Sequence, residues 1–118
     1  MIVVELPFPS PKLSPNARLH WAVVSKAKKA FRKDALLLTM SAVHGRKPQL
    51  APQRLDLTFY PPQNRAYDRD NLIARMKAGI DGISDALGID DKHFTIGNID
   101  IAPAVKGGMV RVHISEVA

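Results

Sequence analysis

Apolar and polar residues follow two periods along the chain, and each period predicts one type of element. Strict alternation is typical of a strand with one buried face. It is clearest at residues 53–60, where Leu55, Leu57 and Phe59 alternate with more polar positions. Residues 1–7 are rich in Val, Ile and Leu and end at a proline, which predicts another strand.

Spacings of three and four residues, typical of a helix with one buried stripe, occur in two longer segments. From Trp21 to His44 there is neither Pro nor Gly, and Gly45 suits the position just past a helix end. The apolar stripe of this segment is Val24, Ala27, Phe31, Ala35, Leu38 and Ala42. Residues 71–87 predict a second helix ended by Gly88. Its stripe is Ile73, Met76, Ile80, Ile83 and Leu87.

Two further strands are predicted beyond the second helix. Residues 93–101 are rich in apolar side chains, with Gly97 marking a bulge, and residues 109–114 alternate. Between them, residues 106–108 (Lys-Gly-Gly) predict a hairpin turn. The order is β-α-β-α-β-β within a single domain, residues 1–118. A mixed sheet packed against two helices, an α/β (α+β) fold, is the economical architecture for this order.

Composition excludes several classes of function. The chain has no Cys, which excludes disulfides, thiolate zinc sites and Cys nucleophiles. No apolar run reaches the ~20 residues that span a bilayer, so we expect no membrane partner. The first residues lack a basic region and include Glu5, which does not resemble a secretory signal. The expected location is therefore cytoplasmic.

The net charge of +6 favours a polyanionic partner, most simply nucleic acid. Five bases crowd the first half of the first helix, with Asp34 as the one acid there. They are Lys26, Lys28, Lys29, Arg32 and Lys33. Such a run is either a solvated face or a phosphate-binding surface, and the excess of bases favours phosphate contact that weakens with salt.

A proline-rich loop precedes this helix. Residues 8–16 contain three prolines, which predicts a stiff, extended segment without helix. Lys12, Arg18 and His20 make the loop and its continuation basic. Two interpretations stay open, a plain surface connector or a basic lip that contacts phosphates.

Four of the eleven acidic residues form two pairs around the second helix, Asp68 with Asp70 and Asp90 with Asp91. In an extended segment, residues two apart point to the same side, so one cation can reach both carboxylates of the first pair. Hard cations such as Mg²⁺ take oxygen ligands, usually one or two carboxylates plus phosphate and water. A metal there would activate water and stabilise the leaving oxygen of a phosphodiester. The alternative is structural, with a helix cap at the first pair and a surface turn at the second.

The polar face of the second helix supports a phosphate site. On a continuous helix, Asp70, Lys77 and Asp81 lie within about 40° of one another, roughly opposite the apolar stripe. A Lys beside a metal can hold a phosphate or offset charge in the transition state. The four histidines show no ligand spacing and are interpreted as incidental. They are His20, His44, His93 and His113.

The acidic motif and the opening of the chain together resemble the RusA family of Holliday junction resolvases. The motif is Asp-Arg-Asp-Asn-Leu at 68–72, then Lys77 and Asp81, then Ile-Asp-Asp at 89–91. The opening has Leu-Pro-Phe-Pro at 6–9, a Pro-Asn pair and an early basic helix. The resemblance covers essentially the whole chain. It implies a small, dimeric, magnesium-dependent endonuclease that cuts four-way DNA junctions, of a kind often encoded by phages or prophages.

Carried over by motif, the resemblance implies catalytic roles for Asp68, Asp70, Asp91 and Lys77. Mg²⁺, or Mn²⁺ as a substitute, would be held by Asp68, Asp70 and Asp91 with help from Asp90. Arg69 and Arg75 are alternatives for the role of Lys77. Basic residues expected to contact DNA are Lys12, Arg18, Lys26, Lys28, Lys29, Arg32, Arg69 and Arg75.

The expected function is therefore magnesium-dependent, structure-selective cleavage of four-way DNA junctions in recombination and repair. The expected partners are branched double-stranded DNA and a second copy of the chain, with no small-molecule cofactor. Two alternatives stay open. One is a protein that binds junctions or duplexes without cutting, and the other is a metal-dependent nuclease acting on RNA or other branched DNA.

Overall fold

The computed structural model describes residues 1–44 and 51–117, which form a mixed four-stranded sheet and three α-helices. The strands are Ile2–Pro7 (β1), Gln53–Tyr60 (β2), Phe94–Ile101 (β3) and Met109–Glu116 (β4). The helices are Trp21–Val43 (α1), Arg69–Arg75 (α2) and Lys77–Leu87 (α3). The predicted α/β (α+β) class, a mixed sheet packed against helices in the stated order, is confirmed. No helix in the described ranges is long and apolar enough to cross a bilayer.

The strand order is β1-β4-β2-β3, with β4 antiparallel to both neighbours and β2 parallel to β3. The predicted hairpin between β3 and β4 is therefore wrong, because β2 lies between them. A turn does form at the expected place, where Gly107 and Gly108 have φ values of 77° and 70°. The Gly108 N–H donates to the Val105 carbonyl at 3.0 Å. The glycines thus set where the chain turns. The strand that pairs with β4 on this side is β2, which also has an alternating pattern.

One face of the sheet carries the core. The alternating side chains of β2 that were predicted to be buried, Leu55, Leu57 and Phe59, are fully buried. They lie beside the buried residues of the neighbouring strands, which are Val4, Leu6, Val110, Val112 and Ile114. The helices cover this face, so the fold buries the alternation that the sequence shows.

Helices α1 and α3 pack closely because α3 presents glycine to α1. A Cβ on Gly82 would lie 2.3 Å from the Arg32 carbonyl oxygen, and a Cβ on Gly79 would lie 2.7 Å from the Phe31 ring. These distances leave no room for a larger side chain without a shift of one helix. The two glycines therefore fix α3 against the basic helix.

The buried stripe of α1 differs from the predicted one at its second half. Phe31 and Ala35 are buried as expected, but Leu38 is 39% exposed, and Thr39 and Val43 are buried instead. The buried positions here are four residues apart, and each such step advances about 40° around the axis. The contact surface therefore turns around α1, whereas the predicted stripe stays on one side.

The second predicted helix is not continuous. It begins at Arg69 and not at residue 71, and it is interrupted at Met76, which separates α2 from α3. The Met76 N–H donates to the Ile73 carbonyl at 3.0 Å, a bond one residue shorter than the helical repeat. The Met76 side chain is fully buried, so the break lies on the core side.

Three smaller predictions have mixed outcomes. The proline-rich loop was expected to lack helix, but Pro11–Leu13 forms one turn of 3₁₀ helix, since proline is tolerated at a first helical position. The bulge in β3 is confirmed, because Leu55 and Leu57 pair with Ile96 and Ile99, which leaves one extra residue in β3. Gly45, the predicted terminator of the first helix, lies outside the described residues.

Candidate active site

Asp68 caps α2. Its Oδ1 accepts hydrogen bonds from the backbone N–H groups of Asp70 at 2.9 Å and Asn71 at 3.3 Å, which satisfies two of the free donors of the first turn. Both Asp68 and Asp70 are exposed. The capping interpretation of the first acidic pair is thus correct for Asp68, and its carboxylate still faces solvent. Asp70, in the first turn, carries a second exposed carboxylate two residues later.

The end of α3 returns the chain toward the helix start. Gly88 ends α3 with φ 69°, as predicted, and the Ser84 hydroxyl donates to the Ile89 carbonyl at 2.5 Å. Ile89 is buried, so the pair that follows it is held against the helix. Asp90 then caps a 3₁₀ turn (Asp91–His93), its Oδ1 accepting from the Lys92 N–H at 3.0 Å.

This return places Asp91 on Lys77. The Lys77 Nζ donates to Asp91 Oδ2 at 2.5 Å and to Asp81 Oδ1 at 3.0 Å. The hydrogen bond to Asp91, with that to Asp81, raises the pKa of the Lys77 ammonium. The hydrogen bond from Lys77 lowers the pKa of the Asp91 carboxyl in turn. The Lys77 ammonium therefore lies between the carboxylates of Asp91 and Asp81.

The structure thus joins part of the predicted site. Lys77 and Asp91 come together, and they are joined by Asp81, which had been placed on the motif face without a role. No side-chain hydrogen bond or ion pair in the described ranges links Asp68 or Asp70 to this cluster. Within the same ranges, no group of three or more His, Asp or Glu side chains is arranged to hold a metal ion. The metal assignment to Asp68, Asp70, Asp90 and Asp91 stays a prediction.

The donor chemistry fits a hard cation. All four predicted ligands are carboxylates, and Asp68, Asp70 and Asp90 are exposed while Asp91 is partly so. One condition follows from the geometry, since an ion that used Asp91 Oδ2 would have to displace the Lys77 ammonium from it. The displaced Lys77 ammonium would then be free to contact other ligands of the ion.

Asn71, which the motif left without a role, joins α2 to the proline-rich loop. Its Nδ2 donates to the Ser14 Oγ at 2.7 Å, and its Oδ1 accepts from the Arg75 Nε at 2.9 Å. Arg75 also donates from Nη1 to the Pro9 carbonyl at 3.4 Å. Burial lowers the pKa of Arg75, which is only partly exposed. Arg75 is therefore engaged in holding the loop, which weakens it as a replacement for Lys77.

Aromatic contacts hold the same loop to the segment before Asp68. Phe8 packs edge-to-face on Tyr67, with ring centroids 5.7 Å apart, and the Arg65 guanidinium lies 5.0 Å from the Tyr67 ring centroid. Edge-to-face pairs of this kind stabilise by about 1 kcal/mol beyond the area they bury. The acidic pair is thus anchored from both sides, by Tyr67 before it and by Asn71 after it.

The predicted basic residues divide into engaged and exposed ones. Arg32 forms a two-point ion pair with Asp85 of α3, at 2.6 Å and 2.9 Å, which ties it to the helix pair. Lys26, Lys29 and Lys33 are exposed and lie within about 60° of one another around α1. Lys28 is exposed and lies on the side of Arg32. Lys33 had not been assigned to DNA contact, although its spacing of seven from Lys26 was visible in the sequence.

The remaining predicted basic residues line two surface depressions. Lys12, Arg18 and Arg75 line a groove of about 400 Å³ between the proline-rich loop and α2. Arg69 lies instead at a shallow polar depression of about 630 Å³ beside residues 97–100 of β3. The basic residues near α2 therefore face two different surfaces.

Comparison with known proteins gives a relative without an assigned function. A protein of Xylella fastidiosa (strain Temecula1), named only "Uncharacterized protein", is 48% identical over 93 residues, which cover 77% of this chain and 61% of the relative. The chain thus spans about three-fifths of the length of that relative. No family model matches the chain.

Proposed function

We propose that this protein is a magnesium-dependent, structure-selective DNA endonuclease that resolves four-way junctions, as its resemblance to the RusA family implies. The observation that carries the proposal is the contact of Lys77 with Asp91. These residues come from separate parts of the acidic motif, fourteen positions apart in the chain, and the fold brings them into direct contact.

The chain's own residues have separable roles in this proposal. Asp68, Asp70 and Asp91, with Asp90 beside them, would hold the metal, which when bound supplies an activated water and stabilises the leaving oxygen. Lys77 neutralises charge on the scissile phosphate once it leaves Asp91. Asp68 has a second task, because it also starts α2 and so orients Asp70.

The substrate would be gripped through its backbone. The exposed face of Lys26, Lys29 and Lys33 and the groove of Lys12 and Arg18 supply cations for these contacts. Such a surface binds duplex arms by phosphate contact and is strongly salt-dependent. A second copy of the chain would supply the second cut that resolution of a junction requires.

The test is cleavage of a synthetic four-way junction with Mg²⁺, compared with a flap and a linear duplex at fixed salt. We expect nicks in the junction arms that depend on the metal and are lost in Asp70→Asn, which still binds the junction in EDTA. Cutting by Asp70→Asn at the wild-type rate contradicts the metal site. Equal cutting of all substrates, or cutting of RNA, favours a nuclease of different selectivity.

A protein that binds junctions without cutting them is the competing candidate. It is favoured by the structural use of two of the acids, since Asp68 caps α2 and Asp91 pairs with Lys77. In that case acidic variants change stability alone. Binding of the junction by wild type in Mg²⁺ or Mn²⁺ without any nicking identifies this candidate.

A further inference from the structure

The link between the proline-rich loop and α2 is polar, and the side chains of Asn71 and Arg75 make it. Asn71 uses both ends of its amide, donating to Ser14 at 2.7 Å and accepting from Arg75 at 2.9 Å. Asn71 and Ser14 are both half-buried, and they are 57 positions apart in the chain. An exposed polar pair of this kind would exchange with water, whereas a partly buried one has a fixed geometry.

The two groups that Asn71 connects form the walls of the basic groove. Ser14 belongs to the loop wall with Lys12 and Arg18, and Arg75 is the contribution of α2. The loop wall has a second fixed point at its other end, where the Arg75 guanidinium donates to the Pro9 carbonyl. The groove is therefore held by a relay from Ser14 through Asn71 and Arg75 to Pro9, and three cationic side chains line it.

Asn71 also links this groove to the acidic pair. Asn71 follows Asp70 directly, and its backbone N–H donates to Asp68 Oδ1. The same residue thus bonds the acidic pair through its backbone and the basic loop through its side chain. Because one residue bonds to both, the shape of the groove and the position of the acidic pair are coupled through Asn71.

We propose that Asn71 is a positioning residue, which holds the groove between the proline-rich loop and α2 in the shape that receives one backbone phosphate next to the scissile one. This inference rests on the proposed function and deepens it, since it assigns a phosphate subsite to Lys12, Arg18 and Arg75. Asn71 acts through Ser14 and Arg75 and does not itself touch the reacting atoms.

The test uses the full chain with Asn71→Leu, which keeps the branched side-chain shape and the backbone cap but removes both hydrogen bonds of the amide. Junction binding is measured in EDTA by fluorescence anisotropy at a series of salt concentrations. Cleavage is measured in Mg²⁺ at a series of junction concentrations. We expect several-fold weaker binding, a salt slope smaller by about one phosphate contact, and a higher KM with kcat within about twofold of wild type.

Ser14→Ala removes the other end of the same bond without changing α2. We expect it to reproduce the shallower salt slope, and the double variant to bind no more weakly than Asn71→Leu alone, because the two changes remove one interaction. The matched control is Asn64→Ala, which breaks a different loop tether, the 2.9 Å bond from the Ala104 N–H, and does not line the groove.

Each outcome bears on the proposal. Unchanged salt slope and KM in both variants overturn it, and so does an equal loss in Asn64→Ala, which would mean general loosening. A fall in kcat at constant KM also overturns it, since Asn71 would then act on the chemistry. A wild type that neither binds nor cuts the junction overturns the proposed function together with this inference, whereas an active wild type with unaffected variants overturns the inference alone.

Discussion

The Lys77 ammonium lies 2.5 Å from Asp91 Oδ2, so the start of α3 and the segment that follows this helix are joined by one ion pair. The ammonium occupies one side of a carboxylate that the proposed function assigns to a metal. Under the proposed function, lysine and metal would compete for Asp91, and this competition can be measured.

Replacing Lys77 by methionine removes the competing cation. We expect Lys77→Met to bind Mn²⁺ several-fold more tightly than wild type, because Asp91 and Asp81 lose their internal counter-ion. Junction cleavage should fall on the order of 100-fold, since a cation that offsets transition-state charge is lost. Mn²⁺ binding is followed by electron paramagnetic resonance, without substrate.

Lys92→Met is the control for this comparison. Lys92 is an exposed lysine directly after Asp91, and its backbone N–H bonds to Asp90. The Lys92→Met variant removes the same charge one residue from Asp91, so a general electrostatic effect would appear in both variants. Equal Mn²⁺ affinity in Lys77→Met and wild type contradicts the competition.

The cap at Asp68 allows folding and cleavage to be separated at one position. Asp68→Asn keeps a good capping side chain, so we expect wild-type stability with cleavage reduced to background. Asp68→Ala should lose about 1 kcal/mol of unfolding free energy as well, because two N–H groups lose their acceptor. Chemical denaturation and junction cleavage are measured on both variants. If Asp68→Asn cuts like wild type, the carboxylate serves only as a cap.

The surface of α1 gives a prediction about charge position. Charge reversal of Lys26, Lys29 and Lys33 to glutamate should weaken junction binding and flatten its salt dependence, because three exposed cations on one face are lost. Reversal of Arg32 removes the ion pair with Asp85 as well, so it is expected to lower thermal stability. Anisotropy and thermal unfolding distinguish the two effects. Unchanged junction affinity in the triple variant would mean that this face of α1 is only solvated and does not contact phosphates.

The contact of Asp56 on β2 with Asn98 on β3 gives a prediction about stability that does not depend on function. Asp56 Oδ1 accepts from the Asn98 N–H at 2.7 Å and from the Arg54 Nε at 3.1 Å. The Asn98 hydrogen bond, then the bond and charge of Arg54 and the nearby His113, lower the pKa of Asp56. Because the folded pKa is depressed, the ionised carboxylate stabilises the fold at pH values above its unfolded pKa of about 3.9, and this contribution is lost as pH falls through the folded value.

We therefore expect Asp56→Asn to lose about 1 kcal/mol of unfolding free energy at pH 7 and to converge with wild type in acid. Urea denaturation across pH 2–7 measures the difference. Asp100→Asn, an exposed acid on the same strand pair, serves as the reference for a charge without these bonds. A difference that does not depend on pH would exclude ionisation of Asp56 as its source.

Several features were predictable because they depend on local pattern. The alternation of Leu55, Leu57 and Phe59 predicted β2 within its bounds, and Gly97 predicted the bulge in β3. A Cβ on Gly97 would lie 2.4 Å from Asp56 Oδ1. Gly88 ended the helix where a left-handed residue was needed. The apolar period and the positions of glycine predict these strands, bulges and helix ends without reference to residues distant in the sequence.

Other features depend on distant contacts and were not predictable. The bond from Asn71 to Ser14 joins two polar residues that many pairings would satisfy, and nothing local selects it. The break at Met76 leaves the apolar period intact, so the pattern shows one helix. The turn at Gly107 was visible, but the pairing of β4 with β1 and β2 depends on strands that are distant in the sequence.

The central place of β4 has a consequence for how the chain folds. In the described ranges, β1 pairs with β4 and with no other strand. In this pairing Ile2 lies opposite Ile114. The first strand therefore stays unpaired until residues 109–116 have been synthesised. Pairing of strands so far apart in the sequence slows folding. Until it forms, the unpaired backbone groups of β1 can pair with other strands. We expect the slowest refolding step to be the insertion of β4 between β1 and β2.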